Sequence, residues 1–309
     1  MKNFKSIFAI LLSLTVHAPL EYEYADPINH KGLKMHFWIE SAAGKLSGRN
    51  YVNGDQKFFK ELRTNPGVYE NYANGSIPSD TEMNWFINRS IERWEDGYCS
   101  GSFIITLEET PIGHMAIGTG RDNGSSEIAY FIHSNFQNKK IMTSLLPIIF
   151  EFMKLIIPNQ NAETILPSAY ASYNLYDSPK KPLTQFEATS SVDNYPSISL
   201  LKKLDFEPAK HALKEDQTIA LAVKPAHSIE FYANLKKLLI EFYEQHREFE
   251  KNVRYSVISS TENAIIGTVS LKIDLNESNR EKLNGPIFKF HWELSVEKIK
   301  EKFASSAQK

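Results

Sequence analysis

The sequence Ser126-Glu-Ile-Ala-Tyr-Phe-Ile-His133, followed by Asn135-Phe-Gln-Asn-Lys-Lys-Ile-Met-Thr143, decides how this chain is interpreted. The first stretch predicts a strand, the second a short polar turn, and the apolar run after it a helix that begins directly at the turn. The first backbone N–H groups of a helix have no partner within it, and they carry a partial positive charge. The pattern therefore predicts a seat for a phosphate group, although many proteins contain a strand, a turn and a helix in this order.

A second polar patch lies further along the chain, at Ala188-Thr-Ser-Ser-Val-Asp-Asn194-Tyr-Pro-Ser197-Ile-Ser-Leu-Leu-Lys-Lys-Leu-Asp-Phe206. Taken together, the two patches resemble the GNAT N-acetyltransferases, and in particular the branch that includes the ribosomal-protein N-terminal acetyltransferases. That branch typically shows a turn such as QGKGIATEAL and, later, the pattern DNxxSixLLxKLGF. The resemblance covers roughly residues 35–224, about three fifths of the chain.

This resemblance implies both a fold and an activity. The fold is α/β (α+β), with a mixed and mostly antiparallel central sheet that has helices on both faces. The activity is transfer of an acetyl group from acetyl-CoA, as co-substrate, to an amine acceptor such as a protein N-terminus or a small amine. Such a transfer needs a neutral amine, a polarised carbonyl and a proton for the leaving thiolate. A pyrophosphate seat far from the reacting carbon would hold the substrate in position for attack.

The overall composition excludes other classes of protein. The formal net charge is −2, from 35 basic and 37 acidic residues among 309, so no global field attracts nucleic acid. The single cysteine, Cys99, excludes an internal disulfide and gives no metal site by its spacing. We therefore expect a globular protein with no nucleic-acid partner and no metal.

The N-terminus combines a basic start with the apolar run Ile7-Phe-Ala-Ile-Leu-Leu-Ser-Leu-Thr-Val16. Val16-His17-Ala18 fits a cleavage pattern of small residues, so residues 1–18 have the form of a secretory signal peptide. The run is too short to span a membrane, which takes about 20 apolar residues. A buried strand, or an upstream start with Met35 as the functional one, explains the same residues. Use of acetyl-CoA favours the cytoplasm, whereas a signal peptide favours export.

We predict three segments: an N-terminal extension over residues 1–34, a GNAT-like domain over 35–224, and a C-terminal α+β extension over 225–309. Early in the domain, two strand-like stretches flank a turn at Ser47-Gly48, and Asp55–Leu62 has a helical pattern. Ser79-Asp-Thr-Glu82 is a capping box, and the helix that it opens is predicted to stop at Gly97. The side chains that this helix is predicted to bury are Trp85, Phe86, Ile87, Ile91 and Trp94.

The middle of the chain predicts a hairpin and a long insert. The hairpin consists of Gly101–Leu107 and Ile112–Gly118, joined by a turn. Residues 158–182 carry prolines without periodicity, and they are either a lid over the acceptor site or a surface insert. A strand over Leu183–Ser190 and a helix over Pro196–Lys203 follow.

The C-terminal extension begins with a predicted amphipathic helix around Phe231–Tyr243. Three strands follow, over Arg254–Ser259, Ile265–Ile273 and Ile287–Leu294. Residues 256–270 echo the hairpin described above, through either a degenerate half-repeat of the scaffold or a coincidence of composition. No second phosphate turn follows them.

The resemblance also assigns residues to an acetyl-CoA site. The backbone amides that would bind the pyrophosphate belong to Gln137, Asn138, Lys139, Lys140, Ile141 and Met142, and Thr143 would add a hydroxyl. Backbone groups of Phe131, Ile132 and His133 would line the pantetheine, and Asn194 and Ser197 lie where the later family motif contacts CoA. Independently of the resemblance, Asn before Tyr195-Pro-Ser suits the N-cap of a helix, and Asn194 can serve in both roles.

Five substitutions depart from the family pattern. Lys140 replaces a glycine that lets the backbone approach the phosphates, so it either adds a phosphate contact or blocks the turn. Met142 and Ser144 replace a small residue and a glutamate, and Asp205 replaces a glycine. Pro147 falls inside the helix, where we expect a kink. The departures favour the alternative of a catalytically inactive GNAT-like binding or interaction module.

The resemblance places Glu127 where related enzymes hold a general base that acts through a water. A strand carboxylate paired with a surface lysine or arginine is the alternative for Glu127. His114 has a suitable intrinsic pKa for a base, but a structural imidazole on its strand is the preferred interpretation. Tyr195 or Tyr130 could protonate the thiolate, with position as the sole support.

Overall fold

The computed structural model describes residues 20–26, 31–70, 77–96, 101–118, 125–156, 184–210, 218–222, 228–246, 253–272 and 287–299. The chain divides into two compact units. The first comprises Met1–Val68, Ile77–Phe186 and Ser295–Lys309, and the second comprises Tyr69–Ser76 and Glu187–Leu294. The predicted signal segment, Cys99 and the 158–182 insert lie outside the described residues.

Six strands of the first unit pair in chain order, each antiparallel to the next. They are β1 (Leu20–Asp26), β2 (Lys31–Ser41), β3 (Gly44–Asn50), β4 (Ser102–Leu107), β5 (Thr110–Ile117) and β6 (Ser125–Ile132). The predicted hairpin is β4–β5, with the left-handed residues Glu108 and Glu109 between its strands. Adjacent positive φ values of this kind match the right-handed twist of the two strands.

The turn predicted at Ser47-Gly48 is wrong, because both residues lie inside β3. The chain reverses between Ser41 and Gly44, where the Ser41 hydroxyl accepts a hydrogen bond from the Ala43 N–H and Gly44 has a φ of 117°. Gly48 serves a different purpose. A Cβ at this position would lie 2.0 Å from Cζ of Phe37 on the neighbouring strand, so only glycine leaves room for that ring.

The helices of the first unit are α1 (Gln56–Thr64), α2 (Pro66–Tyr69), α3 (Asp80–Glu95) and α4 (Ile141–Ile156). The capping box at the start of α3 is confirmed: the Glu82 N–H donates to the Ser79 hydroxyl at 3.2 Å, and the Ser79 N–H donates to the Glu82 carboxylate at 2.7 Å. Helix α4 continues through Pro147 without interruption.

The prediction that Trp85 is buried is wrong, since its side chain is 66% exposed. The buried stripe of α3 runs through Met83, Ile87, Ser90 and Trp94, at helical spacing. Trp85 lies two residues from both Met83 and Ile87, which places it on roughly the opposite side of a helix with 3.6 residues per turn. Of the other residues predicted to be buried, Phe86 and Ile91 are only half-buried.

The second unit holds the remaining strands and two helices. They are β7 (Gln185–Ser191), α5 (Tyr195–Lys203), β8 (Glu207–Pro208), β9 (Thr218–Leu221), α6 (Ile229–His246), β10 (Arg254–Ser259), β11 (Ala264–Lys272) and β12 (Ile287–Ser295). The strand order is β7-β12-β11-β10-β9, and β8 pairs with β12. Pairing is antiparallel between β10 and β11, β11 and β12, and β12 and β8, whereas β9 and β10 are parallel. The predicted mixed, mostly antiparallel sheet is therefore confirmed.

The last strand of the C-terminal extension, β12, lies next to β7 rather than at a distance from it. A hydrogen bond from the Val192 N–H to the Phe288 carbonyl, 3.1 Å long, extends this neighbourhood past the end of β7. Residues before and after position 225 thus build one compact unit. The functional domain boundary at residue 224 and the half-repeat both stay predictions.

A buried ion pair connects the end of β3 to the start of α1. Both terminal nitrogens of Arg49 donate to the two Asp55 carboxylate oxygens at 2.9 Å, and the Val52 N–H donates to the same carboxylate at 2.8 Å. Asp55 is only 6% exposed. Loss of the charge would weaken three hydrogen bonds at a site with little access to water.

We expect Asp55→Asn to lower the free energy of unfolding by about 2 kcal/mol, measured by urea denaturation. The matched control is Glu92→Gln, which removes the exposed pair between Arg89 and Glu92 on α3. An exposed pair of this kind contributes at most about 0.5 kcal/mol. Equal losses in the two variants would contradict a special role for the Arg49–Asp55 pair.

Candidate functional site

The predicted strand, turn and helix are present in the first unit. After β6 the chain makes a short 3-10 turn over Ser134–Phe136, passes through exposed residues 137–140 and enters α4 at Ile141. The hydrogen bond from the Ser144 N–H to the Lys140 carbonyl, at 3.1 Å, belongs to the first turn of α4. The N–H groups of Ile141, Met142 and Thr143 precede it, so they belong to the set that a helix start leaves for an outside acceptor.

Two residues of this turn have a left-handed backbone. The φ values are 62° at Asn138 and 60° at Lys140, and these are the two positions at which the pattern QGKGIATEAL has glycine. Asparagine tolerates this conformation, whereas a lysine there costs about 1 kcal/mol. The turn therefore keeps the backbone shape that glycine usually supplies, and the side chains of both residues are exposed.

The left-handed conformation predicts that Lys140→Gly stabilises the protein. Relief of the strained φ outweighs the greater freedom of glycine in the unfolded chain, and we expect a gain of about 0.5 kcal/mol in urea denaturation. Lys139→Gly is the matched control, since Lys139 is not among the residues with positive φ. That variant should be destabilised by a similar amount. A loss of stability in Lys140→Gly would contradict the interpretation.

The side chain of Gln137 ties the turn to two other elements of the first unit. Its amide nitrogen donates to the carbonyl of Ile132, at the end of β6, at 3.0 Å, and to the carbonyl of Gly67, in α2, at 2.9 Å. The turn is thus held by a side chain that starts within it, which leaves the backbone amides to face outward.

His133 reinforces the same connection. Its Nδ1 accepts a hydrogen bond from the Asn135 N–H at 3.3 Å, and its Nε2 lies 3.1 Å from the side-chain nitrogen of Asn65. The His133 N–H donates to the Ile112 carbonyl on β5 at 2.8 Å. Phe131 and Ile132 pair with His114 and Gly113 of β5 and are buried. One edge of this segment is therefore occupied by β5.

Asn194 and Ser197 belong to the second unit, where Asn194 is the N-cap of α5. Its side-chain oxygen accepts a hydrogen bond from the Ser197 N–H at 3.2 Å, with Pro196 in the first turn. The predicted N-cap is thus confirmed. Tyr195 is the first residue of the helix, and its N–H donates to the Asp193 carbonyl at 2.9 Å.

Glu127 lies near the start of β6 and is half-buried. Its backbone exchanges two hydrogen bonds with Gly118, at 2.7 Å and 3.2 Å. Because side chains alternate along a strand, Glu127 shares a face of β6 with Phe131, and Tyr130 lies on the opposite face. Glu127 and Tyr130 are therefore directed to different sides of the sheet.

His114 lies in the aromatic core of the first unit and is 1% exposed. Its Nδ1 is 2.6 Å from the Tyr51 hydroxyl, and its ring stacks on Phe131 at 4.6 Å. Burial, aided by the nearby charge of Arg63, lowers the pKa of His114 to about 3. An imidazole this weakly basic stays neutral near pH 7 and is a poor base, which supports the structural interpretation.

Sequence reasoning missed the contacts of Asn65 and Gly67 with the turn. The run Asn65-Pro66-Gly67 has the composition of a loop, but nothing local indicates that it lies against a turn about seventy residues later. Within the described ranges, no group of three or more His, Cys, Asp or Glu residues is placed to hold a metal ion. No helix in those ranges is long and apolar enough to cross a membrane.

The family model for the acetyltransferase (GNAT) domain matches residues 48–207, more than half of the chain. No curated protein matches it. Among solved structures, a GNAT acetyltransferase from Bacillus anthracis is 11% identical, with a TM-score of 0.43, and the match covers 82% of this chain and 95% of that one.

Two further structures overlap with about half of the chain. For the Salmonella typhimurium acetyltransferase that modifies the N-terminal serine of ribosomal protein L7/L12, identity is 16%, TM-score 0.37, and coverage 55% of this chain and 86% of that one. For spermidine N-acetyltransferase from Vibrio cholerae, in complex with CoA and spermine, the values are 17%, 0.38, 55% and 85%. Since these similarities are low, the family rests on the match to the domain model. On that match, the chain belongs to the GNAT acetyltransferase family.

Proposed function

We propose that the protein is an acetyl-CoA-dependent N-acetyltransferase whose acceptor is an amine, either a protein N-terminus or a small amine. The observation that carries the proposal is the turn before α4, which is left-handed at Asn138 and Lys140 and leads into an outward-facing helix start. A helix start with free amides favours a bound phosphate through both hydrogen bonds and the helix dipole. Use of acetyl-CoA favours the cytoplasm as its location.

In the first unit, the proposed pyrophosphate contacts are the amides of residues 137–142 and the Thr143 hydroxyl. Backbone groups of residues 131–133 are the proposed pantetheine contacts. In the second unit, Asn194 and Ser197 are the proposed contacts. Binding energy from these groups is spent far from the reacting carbon, where it can hold the thioester in place for attack.

The proposed reaction is direct attack of the amine on the thioester carbonyl. A C–N bond forms and the C–S bond breaks, so acetyl-CoA becomes CoA and the amine becomes an amide. Glu127, through a water, would take the proton from the attacking nitrogen, and Tyr195 would give a proton to the leaving thiolate. Both groups are proposed from their positions, and a positioned acid or base of this kind contributes roughly 10²- to 10⁴-fold in rate.

A second candidate is a GNAT-like module that does not catalyse. The specific observation in its favour is Lys140, which places a side chain where the family pattern has none. The exposed, left-handed backbone at this position weakens that objection, because the lysine side chain is not packed into the turn. The uninterrupted α4 similarly weakens the objection raised by Pro147.

The test is an acceptor screen with the full chain and acetyl-CoA. The panel would contain peptides with free N-terminal Ser, Ala or Met, polyamines and small aromatic amines. Release of the CoA thiol would be read together with the mass of the product. Turnover with a stoichiometric acetyl-amine supports the enzyme. Binding of acetyl-CoA without acetylation of any amine would favour the non-catalytic module.

A further inference from the structure

Helix α6, which lies in the predicted C-terminal extension, contacts α5 through two side chains on one of its faces. Tyr232 and Lys236 are four residues apart, so they are neighbours on the helix surface. The Lys202 ammonium of α5 lies over the Tyr232 ring at 4.6 Å from its centre. The Lys236 ammonium pairs with the carboxylate of Asp193, which directly precedes the N-cap of α5.

These two contacts hold α5 at both of its ends. Asp193 lies before the first residue of the helix, and Lys202 lies in its last turn. Because Asp193 meets the later of the two α6 residues and Lys202 the earlier one, α5 and α6 run antiparallel where they touch. The two helices are thereby fixed in register as well as in distance.

Asp193 is the centre of the contact at the start of α5. Its carboxylate accepts hydrogen bonds from Lys236 and from the Ser191 hydroxyl, and its backbone carbonyl accepts from the Tyr195 N–H at 2.9 Å. The Asn194 N–H donates to the Ser191 carbonyl at 3.0 Å. Burial raises the pKa of Asp193, but the hydrogen bonds from Lys236 and Ser191 outweigh it and hold that pKa below its ordinary value.

We propose that Lys236, with Tyr232, positions the acetyl-CoA contacts Asn194 and Ser197 by fixing the loop between β7 and α5. This inference rests on the proposed function, since it assigns a ligand to that loop. It gives the C-terminal extension a role: α6 sets the orientation of the N-cap turn of α5, so the segment beyond residue 225 contributes to the ligand site without touching the ligand.

The exposure of the pair separates this role from a merely structural one. The side chains of Lys236 and Asp193 are 36% and 43% exposed, so their pairing adds little to the stability of the fold. Loss of Lys236 should therefore leave the melting temperature almost unchanged. A loop that has lost its fixed orientation binds more weakly, because the ligand must then order it.

The test compares three variants of the full chain. Lys236→Met removes the charge, and Lys236→Arg keeps it. Lys237→Met is the matched control, because Lys237 is the next residue of α6 and pairs instead with Glu241 of the same helix, at 3.8 Å. Acetyl-CoA affinity is measured by calorimetry, and amide hydrogen exchange at residues 191–198 is measured without ligand.

We expect Lys236→Met to weaken acetyl-CoA binding about fivefold and to speed exchange at residues 191–198, at an unchanged melting temperature. Lys236→Arg and Lys237→Met should behave like the unaltered protein. Equal affinity in Lys236→Met and the unaltered protein would overturn the inference and leave the proposed function intact. So would unchanged exchange at residues 191–198.

Failure of the proposed function gives a different result. If the unaltered protein does not bind acetyl-CoA, the assigned ligand is wrong, and the role of Lys236 in a CoA site falls with it. The exchange measurement then still shows whether α6 orders the loop, which separates a wrong ligand from a wrong contact.

Discussion

Thr143→Pro is expected to weaken acetyl-CoA binding by roughly 30- to 100-fold, whereas Thr143→Ala should weaken it only about fivefold. Both variants lose the hydroxyl, but only proline also removes the backbone N–H in the first turn of α4. A hydrogen bond from such an N–H to a charged phosphate contributes about 2–3 kcal/mol, against about 1 kcal/mol for a neutral hydroxyl. The measurement is the dissociation constant of each variant by calorimetry.

The comparison is clean because proline is tolerated in the first turn of a helix, where its missing N–H has no intrahelical role. Circular dichroism and the melting temperature would verify that both variants are folded. If the proline and alanine variants bind acetyl-CoA equally well, the amide of Thr143 does not face the phosphate. The seat proposed at this helix start would then be wrong.

Acid is expected to destabilise the protein through His114. The pKa of this residue is about 3 in the folded chain, against 6.5 for an ordinary histidine. Below pH 6.5 the unfolded chain therefore takes up a proton that the folded chain refuses, and the free energy of unfolding falls until the pH approaches 3. Between pH 7.5 and pH 5.0 this one residue should cost about 2 kcal/mol.

The measurement is urea denaturation at the two pH values, for the unaltered protein and for His114→Gln. Glutamine does not titrate, so the variant should lose about 2 kcal/mol less than the unaltered protein between pH 7.5 and pH 5.0. His36→Gln is the control, because His36 is exposed and its pKa is lowered without reaching a value as extreme. The same decrease in His114→Gln as in the unaltered protein would contradict a neutral, buried His114.

Much of the fold follows from local pattern, and the exceptions have physical reasons. Alternation and turn residues predict the β4–β5 hairpin and the three strands after α6, and Ser79 and Glu82 predict the start of α3. Gly48 misled the prediction because a glycine can signal close packing as well as a turn, and here it makes room for the Phe37 ring. Trp85 misled it because an aromatic residue in a helical run is not buried unless it falls on the buried stripe.

The candidate site was predictable only where it is contiguous in sequence. The strand, the turn and the helix start lie within twenty residues, so their spacing alone indicates a phosphate seat. The hydrogen bond from Gln137 to Gly67 joins residues 70 apart, and the pair of Lys236 with Asp193 joins residues 43 apart. Contacts of this range depend on how elements pack, and no local pattern encodes them.

The shape of the turn was hidden for a different reason. Lys140 reads from sequence as a substitution that closes the turn, because glycine is the residue that adopts a positive φ without cost. The folded chain holds Lys140 and Asn138 in that conformation all the same. Packing of Ile141 and Met142, both buried, anchors α4 immediately after the turn and provides the stabilisation that offsets the strain.

The most direct test of the account is calorimetric titration of the full chain with acetyl-CoA, next to Lys140→Gly. The account predicts one binding site per chain with micromolar affinity in the unaltered protein, and equal or tighter binding in Lys140→Gly. Absence of binding in both proteins, while each is folded, would contradict an acetyl-CoA site at the turn before α4. It would leave a GNAT-like module without this ligand as the better description.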